Sequence, residues 1–182
     1  MREIRAYAPA DEQAWLRCRL LSFFNTSYFD DVWTARPMSD DLAVALVAVQ
    51  DDALIGLIDV TVEASAATID SIAVLPDASR RGIGTGLLDA ALAALPPGIA
   101  TVDAWTRDDV AANAWYQRNG FVENYRYLHV YKGHAEPGDG FVAPAGISSL
   151  ETAFMHAPRE REAELRARFE RVHVCRQYLR HL

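Results

Sequence analysis

Apolar and polar positions alternate over residues 2–8, with Ile4 and Ala6 set against Arg5 and Tyr7, and this period of two predicts a short first strand. Pro9-Ala10-Asp11-Glu12 then opens a helix to about Phe23, with Trp15, Cys18 or Arg19, and Ser22 on successive turns. Residues 25–37 are polar and aromatic and read as a short second helix with irregular flanks. Residues 42–50 and 53–62 are apolar strands joined at Asp51-Asp52, a hairpin signal, and residues 67–75 form a third, closed by Pro76-Asp77.

Helical spacing returns over residues 84–95, in Leu87, Leu88, Ala91, Leu92 and Leu95, and Pro96-Pro97-Gly98 stops it. Residues 99–105 read as a buried strand and residues 108–119 as an amphipathic helix ended by Gly120, the residue a helix C-terminus favours. A long strand over residues 121–131 sets Tyr125, Tyr127, His129 and Tyr131 on one face. Residues 133–158, rich in Gly and Pro, read as a loop, followed by a charged helix over 160–169 and a last strand over 171–179. This order gives a mixed α/β fold, its sheet partly antiparallel and partly parallel, in a single domain spanning 1–182 without internal repeats.

Composition narrows the partners. The chain has 182 residues, 51% hydrophobic and 24% charged, which is too apolar for disorder. A net charge of -7 argues against nucleic acid, whose phosphates are met by clustered Lys and Arg, and suits a cationic partner as a long-range field. The longest apolar run, Leu42 to Val49, has eight residues where a membrane span needs about 20. Met1-Arg2-Glu3-Ile4-Arg5 lacks the order of a secretory signal, and Cys18 and Cys175 read as reduced packing thiols, so a cytoplasmic location is expected. The five histidines show no paired ligand spacing, so no metal is expected.

The chemistry gathers after the third strand. A basic turn with Arg80 and Arg81 leads to Gly82, Gly84 and Gly86 at the start of a helix, whose first N–H groups are free and partially positive, as a pyrophosphate requires. A Walker loop is excluded because its glycines are not followed by the required Lys. A dinucleotide fingerprint is imitated by Asp103, about 20 residues on, but its third glycine falls at Leu87 and several strands come first. Glycines that only permit a tight turn are the plain alternative.

Ile72-Ala73-Val74-Leu75-Pro76 followed by Arg81-Gly82-Ile83-Gly84 resembles the acetyl-CoA motif of the GNAT N-acetyltransferase superfamily, and Tyr116-Gln117-Arg118-Asn119-Gly120-Phe121 resembles the same family's second motif. Ser79 departs from the family's Gln/Arg, and Asp109 stands where its Asn is usual, with Asn113 one turn away. The resemblance spans residues 4–131 and implies a central twisted mixed sheet flanked by helices, with residues 133–168 as an insertion in the closing hairpin. It implies acetyl-CoA as co-substrate, bound by Ile72, Ala73, Val74, Ser79, Arg80, Arg81, Gly82, Ile83, Gly84, Thr85, Asp109, Asn113 and Tyr116.

It further implies that a backbone N–H near Val74 polarises the thioester carbonyl and that Tyr116 protonates the coenzyme A thiolate. Alternation along the strand sets Asp70 on the face of Ile72 and Val74, as candidate base, with Glu63 and Asp59 as rivals. Tyr28-Phe29-Asp30-Asp31 and Trp33 offer rings and carboxylates for an ammonium group, against the plain reading of an amphipathic helix edge. The expected activity is transfer of acetyl from acetyl-CoA to a primary amine of a small molecule. A non-catalytic coenzyme A-binding module is the alternative. The arginine-rich C-terminal segment points to packing on a second copy, a homodimer.

Overall fold

The computed structural model describes residues 2–148 and 150–182. Among them, eight strands form one mixed sheet: β1 Arg2–Ala6, β2 Leu42–Gln50, β3 Ala53–Glu63, β4 Ala66–Val74, β5 Thr101–Thr106, β6 Val122–Lys132, β7 Ala153–Ala157 and β8 Arg171–His181. Their spatial order is β1-β2-β3-β4-β5-β8-β6-β7. Four α-helices accompany them: α1 Glu12–Phe23, α2 Ile83–Ala94, α3 Val110–Arg118 and α4 Glu162–Arg168. None is long and apolar enough to cross a membrane. Pairing is antiparallel everywhere except between β4 and β5, which α2 connects. At the β2–β3 turn Asp51 and Asp52 have φ of 50° and 63°, the left-handed pair that a two-residue hairpin turn takes to match strand twist.

The two sheet faces differ. On one, Leu87, Leu88 and Ala91 of α2 and Tyr116 of α3 pack on Val44, Ile58, Ile69, Val102, Ala104 and Tyr178. Farther along the same face, Leu165 of α4 and Phe169 cover Leu128, Val130, Val172 and Val174. On the other, Trp15 and Cys18 of α1 bury Val47, Leu57 and Ala73. Among the described residues no α-helix follows α1 over β5, β8, β6 and β7 on that second face. Gly56 of β3 lets α2 come down onto the sheet: a Cβ there would meet Leu87 Cδ1 at 3.0 Å and the Ala73 carbonyl oxygen at 3.2 Å. Gly56→Ala is therefore expected to cost about 1–3 kcal/mol through overpacking against backbone, read as a lower urea midpoint at unchanged slope.

Two expectations fail. Residues 25–37 form turns and extended chain and no helix, because Arg19, reaching back from α1, holds the segment through the Asp31 carbonyl and carboxylate at 2.6 and 2.7 Å. The stretch 133–158 is not all loop. Its end is β7, paired antiparallel with β6 from Leu128↔Ala157 to Lys132↔Ala153. Five residues in period two are too short a signal behind so many Gly and Pro.

Candidate functional site

β4 and β5 are paired only from Ala66↔Thr101 to Ile69↔Ala104, and beyond that the two strands part. The residue at the parting is Asp70, the extra residue of a β-bulge: Asp59 faces Ser71 while Val60 faces Ile69. Past the bulge, β4 continues on β3 to Val74↔Gly56 with its other edge uncovered. Leu75 N–H donates to the Ile55 carbonyl at 2.9 Å, so alternation turns the N–H and C=O of Val74, and of Ile72 before it, away from β3 and into the opening.

The glycine turn lies at the end of this strand. Ser79 Oγ donates to the Pro76 carbonyl at 2.7 Å, which fastens the first bend. Arg80 and Gly82 then both take left-handed backbone, φ 59° and 76°, a costly conformation for Arg80 that recurs at ligand-binding turns. Gly82 caps α2, and Gly86 N–H is bonded to the Gly82 carbonyl at 2.9 Å, so the N–H groups of Ile83, Gly84 and Thr85 have no intrahelical acceptor. Arg80 and Arg81 are exposed beside them. Gly84 lies flat against the Trp115 indole of α3, its would-be Cβ 3.5 Å from Nε1, and Thr85 Oγ1 donates to Asn119 Oδ1 at 3.2 Å. These contacts fasten the start of α2 to the C-terminal half of α3.

Asp109 and Asn113 are occupied in building α3. Asp109 caps the helix, its Oδ1 accepting from Ala112 N–H at 2.7 Å. The Asn113 amide donates to the carbonyls of Arg107 and Asp109 at 2.8 and 2.5 Å, and its oxygen accepts from the Tyr178 hydroxyl at 2.8 Å. Tyr116 differs. Its ring is buried, stacked on Tyr178 with centroids 5.3 Å apart, yet its hydroxyl has no hydrogen-bond partner among the described residues. Burial pushes the phenol pKa well above that of a free tyrosine, so the proton stays on the oxygen. Tyr178 faces Ala104, the last β5 residue paired with β4, which sets Tyr116 at the level of the parting on the α2–α3 face.

Asp70 lies on the opposite face, contrary to simple alternation. The bulge leaves Ile72 and Val74 with Ile69 in the α2-side core, while Ala73 joins the α1-side core. Asp70 instead interacts with Thr61, Asp103 and Asp59 on the α1 side. Partial burial holds its carboxyl above the usual carboxylate range, and the charge of Asp103 adds to this, although one side of it is open to solvent. Asp59 is buried and bonded to Arg36 Nε at 3.0 Å, and Glu63 is exposed at the closed end of the strand pair.

The segment with Tyr28 and Trp33 does not offer a free clamp. The Arg171 guanidinium takes Asp30 at 2.5 and 2.7 Å and stacks over Phe29; Arg19 takes Asp31 and lies 3.4 Å from the Trp33 ring centre; Arg107 covers Tyr28. The protein's own guanidinium groups fill the places a ligand ammonium would take. Sequence reading also missed Trp105, on β5 just past the last paired residue. It stands on the α1 face with its ring edge-on to Tyr127 at 5.5 Å and Tyr125 at 6.3 Å. The period-two pattern of residues 99–105 carried that orientation but not the gap beside it. His129, bonded to Arg107 and stacked on His156, lies farther out on this face, and burial with the nearby Arg107 pushes its pKa down to about 4.

The sequence profile of the Acetyltransferase (GNAT) domain matches residues 41–123. No curated protein sequence matches the chain. Among solved structures, a GNAT-family acetyltransferase from Staphylococcus aureus Mu50 superposes with a TM-score of 0.62 at 16% identity, covering 100% of this chain and 99% of its own. The ribosomal-protein-S18-alanine N-acetyltransferase of Escherichia coli gives 0.60 at 18% identity, with 100% and 94% covered. The PaiA N-acetyltransferase of Thermoplasma acidophilum, in complex with coenzyme A, gives 0.57 at 19% identity, with 68% and 91% covered. At these identities the likeness is one of fold.

Proposed function

We propose that this chain, an acetyltransferase of the GNAT family by its matched domain and its fold, moves an acetyl group from acetyl-CoA to a primary amine by direct attack in a ternary complex. The observation that carries the reading is the parting of β4 from β5 beside the glycine turn. It opens a passage through the sheet with unpaired backbone on one wall, anion-binding N–H groups at one end, and a proton donor and acceptor on opposite faces. The pyrophosphate sits on the N–H groups of Ile83, Gly84 and Thr85, with Arg80 and Arg81 supplying formal charge. Asp109 and Asn113 serve through the α3 turn they hold.

In the transfer, the Val74 N–H polarises the thioester carbonyl as the amine nitrogen attacks it, a contact worth about 3 kcal/mol of barrier at comparable acyl-transfer sites. Asp70, on the α1 face, takes the proton the amine must lose. The C–S bond breaks, and Tyr116, on the α2–α3 face, gives its proton to the thiolate. The raised pKa values of both groups favour these directions: a carboxylate made more basic by partial burial, and a phenol that burial keeps protonated.

The test is a thermal-unfolding shift with acetyl-CoA, coenzyme A and NAD, followed by acetylation of an amine panel. Ligand at about 100 times its Kd adds about 2.7 kcal/mol, or roughly 5–10 °C for a chain of this size. A shift with both coenzyme A species but not NAD, with acetyl-amine formed, is the expected result. A shift without product would leave a coenzyme A-binding module, and no shift would remove the reading.

A further inference from the structure

Several carboxylates on the α1 face are matched by a cation. Asp30, Asp31 and Asp59 pair with Arg171, Arg19 and Arg36, and Asp108 with His173. Asp70 and Asp103 differ: among the described residues neither has an Arg, Lys or His partner. Asp103 Oδ1 accepts from Thr68 Oγ1 at 2.6 Å and Oδ2 from Gln177 Nε2 at 2.5 Å, both neutral donors that fix the carboxylate without discharging it. On β3, next in the row, the Asp59 oxygen that Arg36 leaves free is enclosed and has no hydrogen-bond partner, and the charge of Asp70 acts on that carboxyl. Three aspartates on adjacent strands thus share one positive side chain.

Beside this row stands a partly exposed aromatic wall. Trp105 is 39% exposed and Tyr125 56%, with Tyr127 between them. The register fixes the relation of the two features. Thr68 is opposite Asp103 and Ile69 opposite Ala104, so Asp70 and Trp105 are the first residues to face each other across the parting. Asp103 lies one side-chain step behind Trp105 on the same strand face, about 7 Å back along β5. Net negative charge and an aromatic ring face are the two features that hold an alkylammonium group.

We propose that the acceptor is an alkyl diamine: one amine at Asp70 is acetylated while the second ammonium is held between the Asp103 carboxylate and the Trp105 ring. This rests on the acetyltransferase reading and names the substrate class of the same site. The two-residue separation of the carboxylates along the strands matches a chain of about four methylenes, and the unmatched negative charge calls for two positive charges on the ligand.

The experiment compares kcat/KM for diaminobutane and for butylamine at saturating acetyl-CoA, in the wild type, in Asp103→Asn and in Trp105→Leu. The wild type is expected to favour the diamine by roughly tenfold or more, the worth of one charge-assisted contact. Asp103→Asn keeps an acceptor for Thr68 or Gln177 and removes the charge, and it should bring the ratio of the two substrates toward one. Trp105→Leu, exposed and outside the core clusters, should shrink the ratio through the diamine's KM, which guards against a folding defect in the first variant. Equal use of the two amines by the wild type, or an Asp103→Asn variant that keeps the preference, overturns the proposal. Binding of acetyl-CoA with neither amine acetylated would count against the transferase reading itself.

Discussion

Tyr116→Phe should lower kcat by about 100-fold while leaving the fold and the affinity for acetyl-CoA close to those of the wild type. The separation is possible because the ring and the hydroxyl have different duties. The ring stacks on Tyr178 and meets Phe121 and Trp115 edge-on, and phenylalanine keeps all three contacts. The hydroxyl bonds to nothing among the described residues, so its removal leaves no stranded partner. The magnitude stands at the low end of general acid catalysis, because a thiol of pKa about 8.5 departs fairly well without help. Burial holds the phenol protonated well above the ordinary tyrosine range, so wild-type activity should not fall in mildly alkaline buffer through loss of this proton. Steady-state kinetics beside calorimetric titration of coenzyme A decide the matter: an unchanged kcat would assign the proton to solvent, and a lost affinity would make Tyr116 a packing residue.

The largest effect on stability is expected from Arg36→Met. Arg36 is 7% exposed and comes from irregular chain, yet it ties three elements together: its backbone N–H donates to Glu12 Oε1 of α1 at 3.1 Å, its guanidinium lies 4.2 Å from the Tyr7 ring centre, and Nε holds Asp59 of β3. Methionine fills much of the space but leaves Asp59 buried and charged beside Asp70. Breaking a buried ion pair from one side costs about 3–5 kcal/mol. The pH dependence has a definite sign. Burial already holds the Asp59 carboxyl above its ordinary value, with Arg36 opposing the shift. Without Arg36 the folded-state pKa rises further, so the variant loses stability as pH climbs from the unfolded carboxylate value through the new folded one. The deficit against wild type should therefore be greatest at neutral pH and shrink in acid, where Asp59 is protonated in both proteins. Urea unfolding at two pH values measures it, and a deficit independent of pH would mean that packing, not charge, is what Arg36 supplies.

The parts of this molecule that follow local rules were legible in advance. The strands over residues 42–75 declare themselves by β-branched and apolar runs, the glycine turn by its spacing, and α3 by the Gly120 that ends it. Three features were out of reach because they depend on how strands meet. The bulge at Asp70 is one unpaired residue against β3, and it alone moves that carboxylate across the sheet. Trp105 reads as a strand residue until its neighbour strand departs. Residues 25–37 carry the composition of a helix edge but are captured by arginines from α1, β5–α3 and β8, a competition of long-range contacts with weak local propensity. The role of Asp109 as a cap illustrates the converse: a residue in a ligand-binding slot by motif can be engaged by its own helix.

The four-residue seam between β4 and β5 has a mechanical meaning. Among the described residues it is where the half of the sheet built from β1 to β4 pairs by backbone with the half built from β5 to β8, and side-chain ties reinforce it on both faces, from Gly84 to Trp115 and Thr85 to Asn119 on one and from Thr68 to Asp103 on the other. Each half is cross-linked along long antiparallel ladders and will tend to open and close as a unit, with the seam as the compliant joint. A molecule lodged in the gap touches both halves and supplies the bridging that backbone pairing leaves out. Occupancy and rigidity are thereby linked, so that the sheet is complete as a mechanical body only while the passage is filled.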